Sequence, residues 1–395
     1  MPRSTARPAE RKAKMPPESW PKLSDEARLG RAKFVHQCYI FTVGRRFHAT
    51  GAPATILVAN PTAQSGKAAM WIRRARALLD ANGVRHQFVP TEPGGVTVAR
   101  VRGLIDDQGY RRVIYLGGDG TFAEVAKGIL YSAHANETLM GMFPTGTAND
   151  QGKSFGLESG PNAFARNANV IAAGEVVGCD VGKLEVERGG KIVHHDMFFD
   201  SFSIGIGASS LATRNRDRQR VRRVPGLSKV YRDYATYGGA ILQRFAETYM
   251  LQVKFDLDAI IDNRVVQYRE LLDVVVKNTL IFGGEWVFDN KALSDDGKFE
   301  LLPVTGRRDF TTKMFAGFRH NPVGTRGLEA LGLHRPNCET GANFELVVRG
   351  RGGPLPGCQI DGEEAPAGER YRIAVLPRAL NLIVPADFVE PSKLS

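Results

Sequence analysis

No stretch of this 395-residue chain approaches the ~20 consecutive apolar residues that a helix needs to cross a bilayer. Its start holds no apolar core of the kind that marks a secretory signal. Both absences lead to the expectation of a protein that stays where it is made, in the cytosol. Cysteine is scarce too: Cys38, Cys179, Cys338 and Cys358 lie far apart and form no CxxC pair. That offers neither a zinc site nor a disulfide framework and suits a reducing compartment. There is no internal repeat, and no low-complexity tract beyond the N-terminal arm. Hydrophobic content of 43% and charged content of 24% are those of a globular protein, and the length favours two domains over three.

What the chain has in excess is positive charge, a net +11 that is unevenly placed. One concentration is the segment 1–34, where Arg3, Arg7, Arg11, Lys12, Lys14, Lys22, Arg28, Arg31 and Lys33 alternate with five prolines. This reads as a flexible basic arm. The other is Arg214, Arg216, Arg218, Arg220, Arg222, Arg223, Lys229 and Arg232. Such clusters favour polyanions, whether nucleic acid, an anionic membrane surface or phosphorylated substrates, and each also reads as a plain solvated face.

From residue 55 onward, apolar runs alternate with helical periodicity. Strands are predicted at Thr55–Ala59, His86–Val89, Arg112–Leu116 and Met140–Phe143. Helices are predicted from Lys67 to about Ala81, near Val96–Asp106, and from Phe122 to about Tyr131. This alternation implies a parallel sheet with helices on both faces, whose ligands bind at the carboxyl ends of the strands. Three turns rich in Gly, Pro and Thr, at 60–67, 117–121 and 144–150, fall on that edge. Beyond about Val181 the texture changes to alternating, β-branched runs: Gly182–Glu187, Met197–Ile206, Leu251–Leu257, Val265–Tyr268, Leu271–Val276, Phe299–Val304, Phe344–Val348 and Tyr371–Val375. These predict a mostly antiparallel sandwich, with helices only near 208–247 and 309–320.

The chemistry concentrates in the turns. Gly117-Gly118-Asp119-Gly120-Thr121 follows a strand and opens a helix. Glycines let backbone approach phosphate oxygens, and a helix N-terminus adds partial positive charge. Asp119 beside phosphates is best explained by Mg²⁺ between them; the alternative is a helix cap. The turn Asn60–Lys67 (NPTAQSGK) resembles a phosphate loop in composition but lacks Walker spacing, and Pro144–Asp150 (PTGTAND) adds a second carboxylate, Asp150.

Taken in order, NPTAQSGK, GGDGT and PTGTAND resemble the catalytic domain of the diacylglycerol kinase superfamily, which includes bacterial lipid kinases, sphingosine kinases and ceramide kinases. The resemblance continues through Asn278–Gly284 (NTLIFGG), Leu293–Phe299 (LSDDGKF), Gln359–Glu363 (QIDGE) and Leu376–Pro385 (LPRALNLIVP). It implies an ATP-dependent, Mg²⁺-requiring kinase that phosphorylates a lipid hydroxyl of a diacylglycerol or sphingoid-type acceptor. The implied plan is an arm over 1–50, an α/β nucleotide-binding domain over 51–180, a β-sandwich over 181–375 and a segment 376–395 returning to the first domain, with the active site between the two.

Carried over by position, the resemblance makes Asn60, Thr91, Gly117, Gly118, Asp119, Gly120, Thr121 and Thr147 nucleotide contacts. It places Asp119 and Asp150 in the catalytic Mg²⁺ network and makes Glu363 the general base, a role a weakly nucleophilic hydroxyl requires. Leu293, Asp296 and Lys298 would form a structural Mg²⁺ loop, which also reads as an ordinary Asp-Asp-Gly turn. Where the family often shows three glycines, this chain has Gly283-Gly284-Glu285-Trp286. His194 and His195, adjacent and so facing opposite sides of a strand, read as structural.

A lipid substrate and an anionic membrane surface are the expected partners. The docking candidate is the 214–232 cluster with the helix-spaced Tyr234, Tyr237, Ile241, Leu242 and Phe245. Nucleic acid is not expected, for want of any recognisable motif, and a homodimer stays open. An NAD kinase and a non-catalytic nucleotide or lipid sensor are the rival readings.

Overall fold

The computed structural model describes residues 54–63, 67–206, 254–288, 292–318 and 338–389, all within one compact unit spanning Val43–Ser395. The N-terminal arm, the basic cluster 214–232 and the aromatic stretch 234–245 lie outside the described residues.

Strand β1 (Thr55–Ala59) is TILVA, buried at every position as an apolar run between helix layers demands. It pairs in parallel with β2 (His86–Pro90) and β3 (Arg112–Gly117), and β3 pairs in parallel with β4 (Leu139–Pro144). Helix α1 (Lys67–Ala81) buries Ile72, Ala75 and Leu79, a single face at spacings of three and four. Helix α2 (Val96–Gln108) ends on Gly109 in the left-handed region (φ 73°). Helix α3 begins three residues earlier than its apolar pattern suggests, spanning Asp119–Leu130. The last three residues of the GGDGT turn are thus its first turn of helix. After the five-residue α4 (Asp150–Ser154) comes α5 (Phe164–Ala173), which the sequence reading passed over. Phe164, Ala168 and Ile171 form its buried face, and Phe164 meets Phe143 edge-to-face at 5.2 Å.

The remaining strands pair antiparallel with one another, and the last of them also pairs in parallel with β4. They are β5 (Glu175–Arg188), β6 (Lys191–Phe198), β7 (Ser201–Gly205), β8 (Phe255–Ile261), β9 (Arg264–Leu271), β10 (Asp273–Lys277), β11 (Phe299–Val304), β12 (Glu339–Gly341), β13 (Asn343–Gly350), β14 (Cys358–Ile360), β15 (Glu363–Ala365) and β16 (Arg370–Val384). Helix α6 (Arg307–Ala316) falls where the second helix was predicted. One sheet runs β2-β1-β3-β4-β16-β13-β8-β9, with β5 pairing β16 and β6; the other runs β12-β11-β10-β7-β14-β15. Their facing sides share one core, in which Phe198, Phe202, Phe255, Phe299 and Tyr371 are the large members. Burying each contributes about 2–3 kcal/mol. The architecture is therefore the α/β parallel sheet followed by an antiparallel sandwich that the sequence implied.

Two departures position the site. Strand β16 is double: Arg370–Leu376 runs antiparallel to β5, the register then slips, and Asn381 and Leu382 pair in parallel with β4. The slip contains Arg378 at φ 48°. The predicted strand Met197–Ile206 is broken into β6 and β7, because the N–H groups of Phe199, Asp200 and Ser201 turn aside to donate to the Asp361 carboxylate at 2.8–3.1 Å. No helix among the described residues is long and apolar enough to cross a membrane.

Candidate active site

The GGDGT and PTGTAND turns are pressed together at the carboxyl edge of β3 and β4. Thr145 N–H donates to the Gly117 carbonyl at 2.7 Å, and Gly118 meets Gly146 backbone to backbone. A Cβ on Gly146 would lie 2.5 Å from Gly118 Cα and 2.9 Å from Asn149 Oδ1. Asn149, itself in the left-handed region at φ 53°, clasps the turn by accepting from Gly146 N–H and donating to Gly146 O, both at 2.7 Å. Gly146→Ala is therefore expected to cost about 1–3 kcal/mol of stability, seen as a lowered denaturation midpoint, because the nearest obstructing atom is backbone. Gly120 is exposed and a Cβ there meets nothing within 4 Å. Gly120→Ala should keep the wild-type midpoint; a loss of ATP affinity in that variant would be a direct sign of phosphate binding at the turn.

Asp119 does not cap its own helix. Its Oδ2 accepts Asn149 N–H at 2.9 Å, and backbone N–H groups of Asp150 and Gln151 also reach its carboxylate, so it caps α4 on the neighbouring turn. Its Oδ1 is buried without a partner, as is Oδ1 of Asp150, which is itself buried. Burial first and the charge of Asp119 second raise Asp150 to about 7, against N–H donation from Gly284 and Gly283; burial raises Asp119 as well. Two adjacent buried carboxylates, each with an orphaned oxygen, fit a divalent cation shared with phosphate oxygens. Among the described residues no three or more His, Cys, Asp or Glu form a complete metal-binding group on their own.

A third buried carboxylate, Asp200, was missed by the sequence reading. It accepts Thr279 Oγ1 at 2.6 Å and Ser201 Oγ at 3.1 Å, and lies well above the usual carboxylate range through burial and the charges of Asp150 and Asp361. The signal was present: a lone Asp inside the apolar run Phe198–Phe202.

The Asn60 turn and Thr91 lie at the same edge. Asn60 Oδ1 accepts from Thr62 N–H and Oγ1 at 3.0 and 2.9 Å, and Thr91 N–H extends the β1–β2 ladder by donating to Ala59 O. Thr147 is exposed on the PTGTAND turn and Thr121 half-buried on α3.

Glu363 opens β15 after a two-residue turn, Asp361-Gly362, at φ 47° and 80°. The buried Asp361 carboxylate locks this turn onto the β6–β7 break, and Gln359 Oε1 accepts Gly362 N–H at 2.6 Å. Glu363 itself is exposed to a cavity of about 130 Å³, lined also by Gly120 and Lys127 of α3 and by His194, Asp196 and Glu364. Thus the GGDGT helix and the DGE turn, some 240 residues apart in sequence, face one space. His194 Nε2 stands 3.5 Å from Asp196 Oδ2, and Asp196 Oδ1 pairs with Lys127 at 2.5 Å, so His194 lies in the cavity wall, whereas His195 is mostly exposed beside Glu185.

Burial raises Asp361 to about 6, against the three N–H donors. The folded chain therefore holds a proton that the unfolded chain has released, and stability falls as pH rises from about 4 to about 6. Asp361→Asn should flatten that decline, which is worth at most ~3 kcal/mol; equal slopes in denaturant titrations would contradict this placement.

The LSDDGKF loop is held by a residue not anticipated, the buried Asp180. It accepts Gly297 N–H at 2.6 Å and Arg378 N–H at 2.7 Å, while its own N–H donates to Ser294 O. Arg378 also reaches Asp295 through its guanidinium. Asp296 is exposed and its Oδ1 caps Lys298 N–H at 2.9 Å. Protein groups thus brace this turn, and burial, joined by the charges of Asp296 and Asp295, raises Asp180 to about 7. The Gly283-Gly284-Glu285 departure has a visible use: Lys153 of α4 donates to Gly284 O at 2.6 Å and pairs with Glu285 at 3.0 Å. This tethers the Asp150 helix to the second sheet's connection.

Residues 54–184 match the model of the diacylglycerol kinase catalytic domain. A diacylglycerol kinase of Staphylococcus carnosus (strain TM300) is 34% identical over 25% of this chain, a stretch that spans only 29% of the relative's own length. A protein of Enterobacter sp. (strain 638) named "Probable lipid kinase YegS-like" is 26% identical over 85% of this chain and 97% of its own. The crystal structure of a diacylglycerol kinase from Bacillus anthracis str. Sterne superimposes with a TM-score of 0.62 at 18% identity, covering 86% of this chain and 100% of that one. In motifs, family model and fold, the chain carries the resemblance to the diacylglycerol kinase catalytic-domain superfamily that its three glycine-rich turns announced.

Proposed function

We propose that this protein is an ATP-dependent kinase that transfers the γ-phosphoryl group to the hydroxyl of a lipid, a diacylglycerol or sphingoid-type acceptor. The observation that carries this reading is the cavity shared by Gly120 at the start of α3 and Glu363 after the Asp-Gly turn. It sets a phosphate-binding helix terminus against a carboxylate that is free to take a proton. In this reading the N–H groups of Gly117–Thr121 receive the nucleotide phosphates, with Asn60, Thr91 and Thr147 at the same edge. Asp119 and Asp150 would hold Mg²⁺ through their orphaned oxygens, and its charge would offset that of the phosphates. Glu363 accepts the proton of the acceptor hydroxyl as the new oxygen–phosphorus bond forms and the bond to the leaving ADP breaks. Leu293 and Lys298, through their backbone carbonyls, and Asp296, through its carboxylate, would hold a second, structural Mg²⁺.

Membrane recruitment is assigned to the basic segments 1–34 and 214–232, which attract anionic headgroups over about one Debye length. The reading is tested by offering NAD and a panel of hydroxylated lipids in parallel with ATP. Lipid-dependent ADP release supports it. Phosphorylation of NAD alone would replace it with the rival phosphotransferase, and ATP binding without turnover of any acceptor would favour a sensor.

A further inference from the structure

The cavity beside Glu363 runs along one face of α3. Gly120, Ala123 and Lys127, at spacings of three and four, line it from the phosphate-binding turn to a point ~10 Å down the helix. Another wall comes from β6, an edge strand that among the described residues pairs with β5 alone. His194 and Asp196 stand on the same side of that strand as Phe198, which enters the sandwich core. In register with them are Val186 and Leu184, both core residues. The pattern calls for apolar side chains at 194 and 196, and this chain has an imidazole and a carboxylate there instead. The core stops at this point, and a polar space begins.

Lys127 Nζ pairs with Asp196 Oδ1 at 2.5 Å, both side chains mostly buried, and Asp196 Oδ2 stands 3.5 Å from His194 Nε2. A carboxylate at Nε2 draws the ring proton to that nitrogen, which leaves Nδ1 of the neutral imidazole as a hydrogen-bond acceptor. The rest of the polar wall also accepts. Glu363 and Glu364 bring carboxylates, the Asp361 carboxylate is taken by three backbone N–H groups, and Lys127, the wall's cation, is engaged by Asp196. At ~30 Å³ of liquid per water, the cavity of about 130 Å³ has room for roughly four waters. That suits a small polar head and excludes an acyl chain.

We propose that this cavity seats the head of the lipid acceptor and that His194 is a specificity-determining residue. Its ring accepts a hydrogen bond from a second donor, a hydroxyl or an ammonium, on the carbon next to the hydroxyl that is phosphorylated. Acceptors with a free diol or amino alcohol are thereby selected over those whose neighbouring oxygen is esterified, because an ester brings only acceptors to a wall of acceptors. This rests on the lipid-kinase reading above and narrows it.

The test uses the full chain, ATP, Mg²⁺ and two pairs of detergent-dispersed lipids. One pair is a 1-acylglycerol and its 2-acetyl ester; the other is a sphingoid base and its desamino analogue. The donor-bearing lipid is expected to exceed its partner about tenfold in kcat/KM, as one well-made hydrogen bond allows, and the pair that shows this identifies the donor as hydroxyl or ammonium. His194→Phe should bring the ratio close to one, and His194→Asn, which keeps an acceptor, should restore part of it. Ratios near one in both pairs on wild-type protein would overturn the proposal, whether or not His194→Phe folds. So would a ratio unchanged in that variant. If no lipid is turned over, melting temperatures decide: a larger rise with the donor-bearing lipid, lost in His194→Phe, keeps the cavity and removes the kinase reading, whereas equal rises remove both. Turnover without selectivity keeps the kinase reading alone.

Discussion

Asp119→Asn should abolish turnover, by at least ~10³-fold, while the protein keeps its melting temperature to within a few degrees. The size follows from the loss of a metal-facing charge, worth several kcal/mol of transition-state stabilisation at about 1.4 kcal/mol per tenfold in rate. The small structural cost follows from the geometry. Asn retains an oxygen to accept the Asn149, Asp150 and Gln151 N–H groups, and the new amide nitrogen replaces only Oδ1, which has no protein partner. A second consequence follows from the closeness of the Asp119 and Asp150 carboxylates. Removing its charge also removes the second-largest cause of the raised Asp150 value, so Asp150 should titrate lower in the variant. Lipid phosphorylation at the wild-type rate by Asp119→Asn would sink the assignment of the GGDGT turn.

Glu363→Gln is expected to lower kcat by ~10²–10⁴-fold with ATP affinity changed no more than a few-fold, the pattern of a lost general base rather than a lost binding contact. Glu363 is exposed at the start of a short strand, so the change should hardly touch stability. Activity within a few-fold of wild type would move the base elsewhere. Asp361, two residues away, is a poor substitute, because its carboxylate is spent on three backbone N–H groups beneath the turn. Asp119, with its unpartnered Oδ1, would then be the candidate.

The parallel sheet was legible because its strands are short, with β1, β3 and β4 mostly apolar, and each is followed by a glycine- or proline-rich turn. Thr55–Ala59 and Lys67–Ala81 fall where periodicity placed them. Helix α5 was not, since FARNANVIAA mixes alanine with two asparagines, one of which, Asn167, is buried beside Phe164, Ala168 and Ile171. The break between β6 and β7 could not be read locally at all. The groups that cause it are the Phe199–Ser201 amides and a carboxylate at position 361, about 160 residues downstream. Asp180, Asp200 and Lys277 were readable in kind. Asp180 and Lys277 lie within strands and Asp200 in the break between β6 and β7, each charged residue buried among apolar neighbours at a cost that binding or bracing must offset. Which of the two applies depends on partners that sequence does not show: Asp180 braces Gly297 and Arg378, while Lys277 stands in register with Glu300. His194 illustrates the converse. Adjacency to His195 correctly put the two rings on opposite faces, but not which face meets the cavity.

The most direct test of the central claim is to incubate the purified protein with labelled ATP, Mg²⁺ and a total lipid extract, then identify labelled products by mass spectrometry. The account predicts label in a lipid phosphate monoester, absent from parallel incubations with Asp119→Asn or Glu363→Gln. Label confined to a water-soluble nucleotide such as phosphorylated NAD, or a lipid product that persists undiminished in both variants, would contradict it.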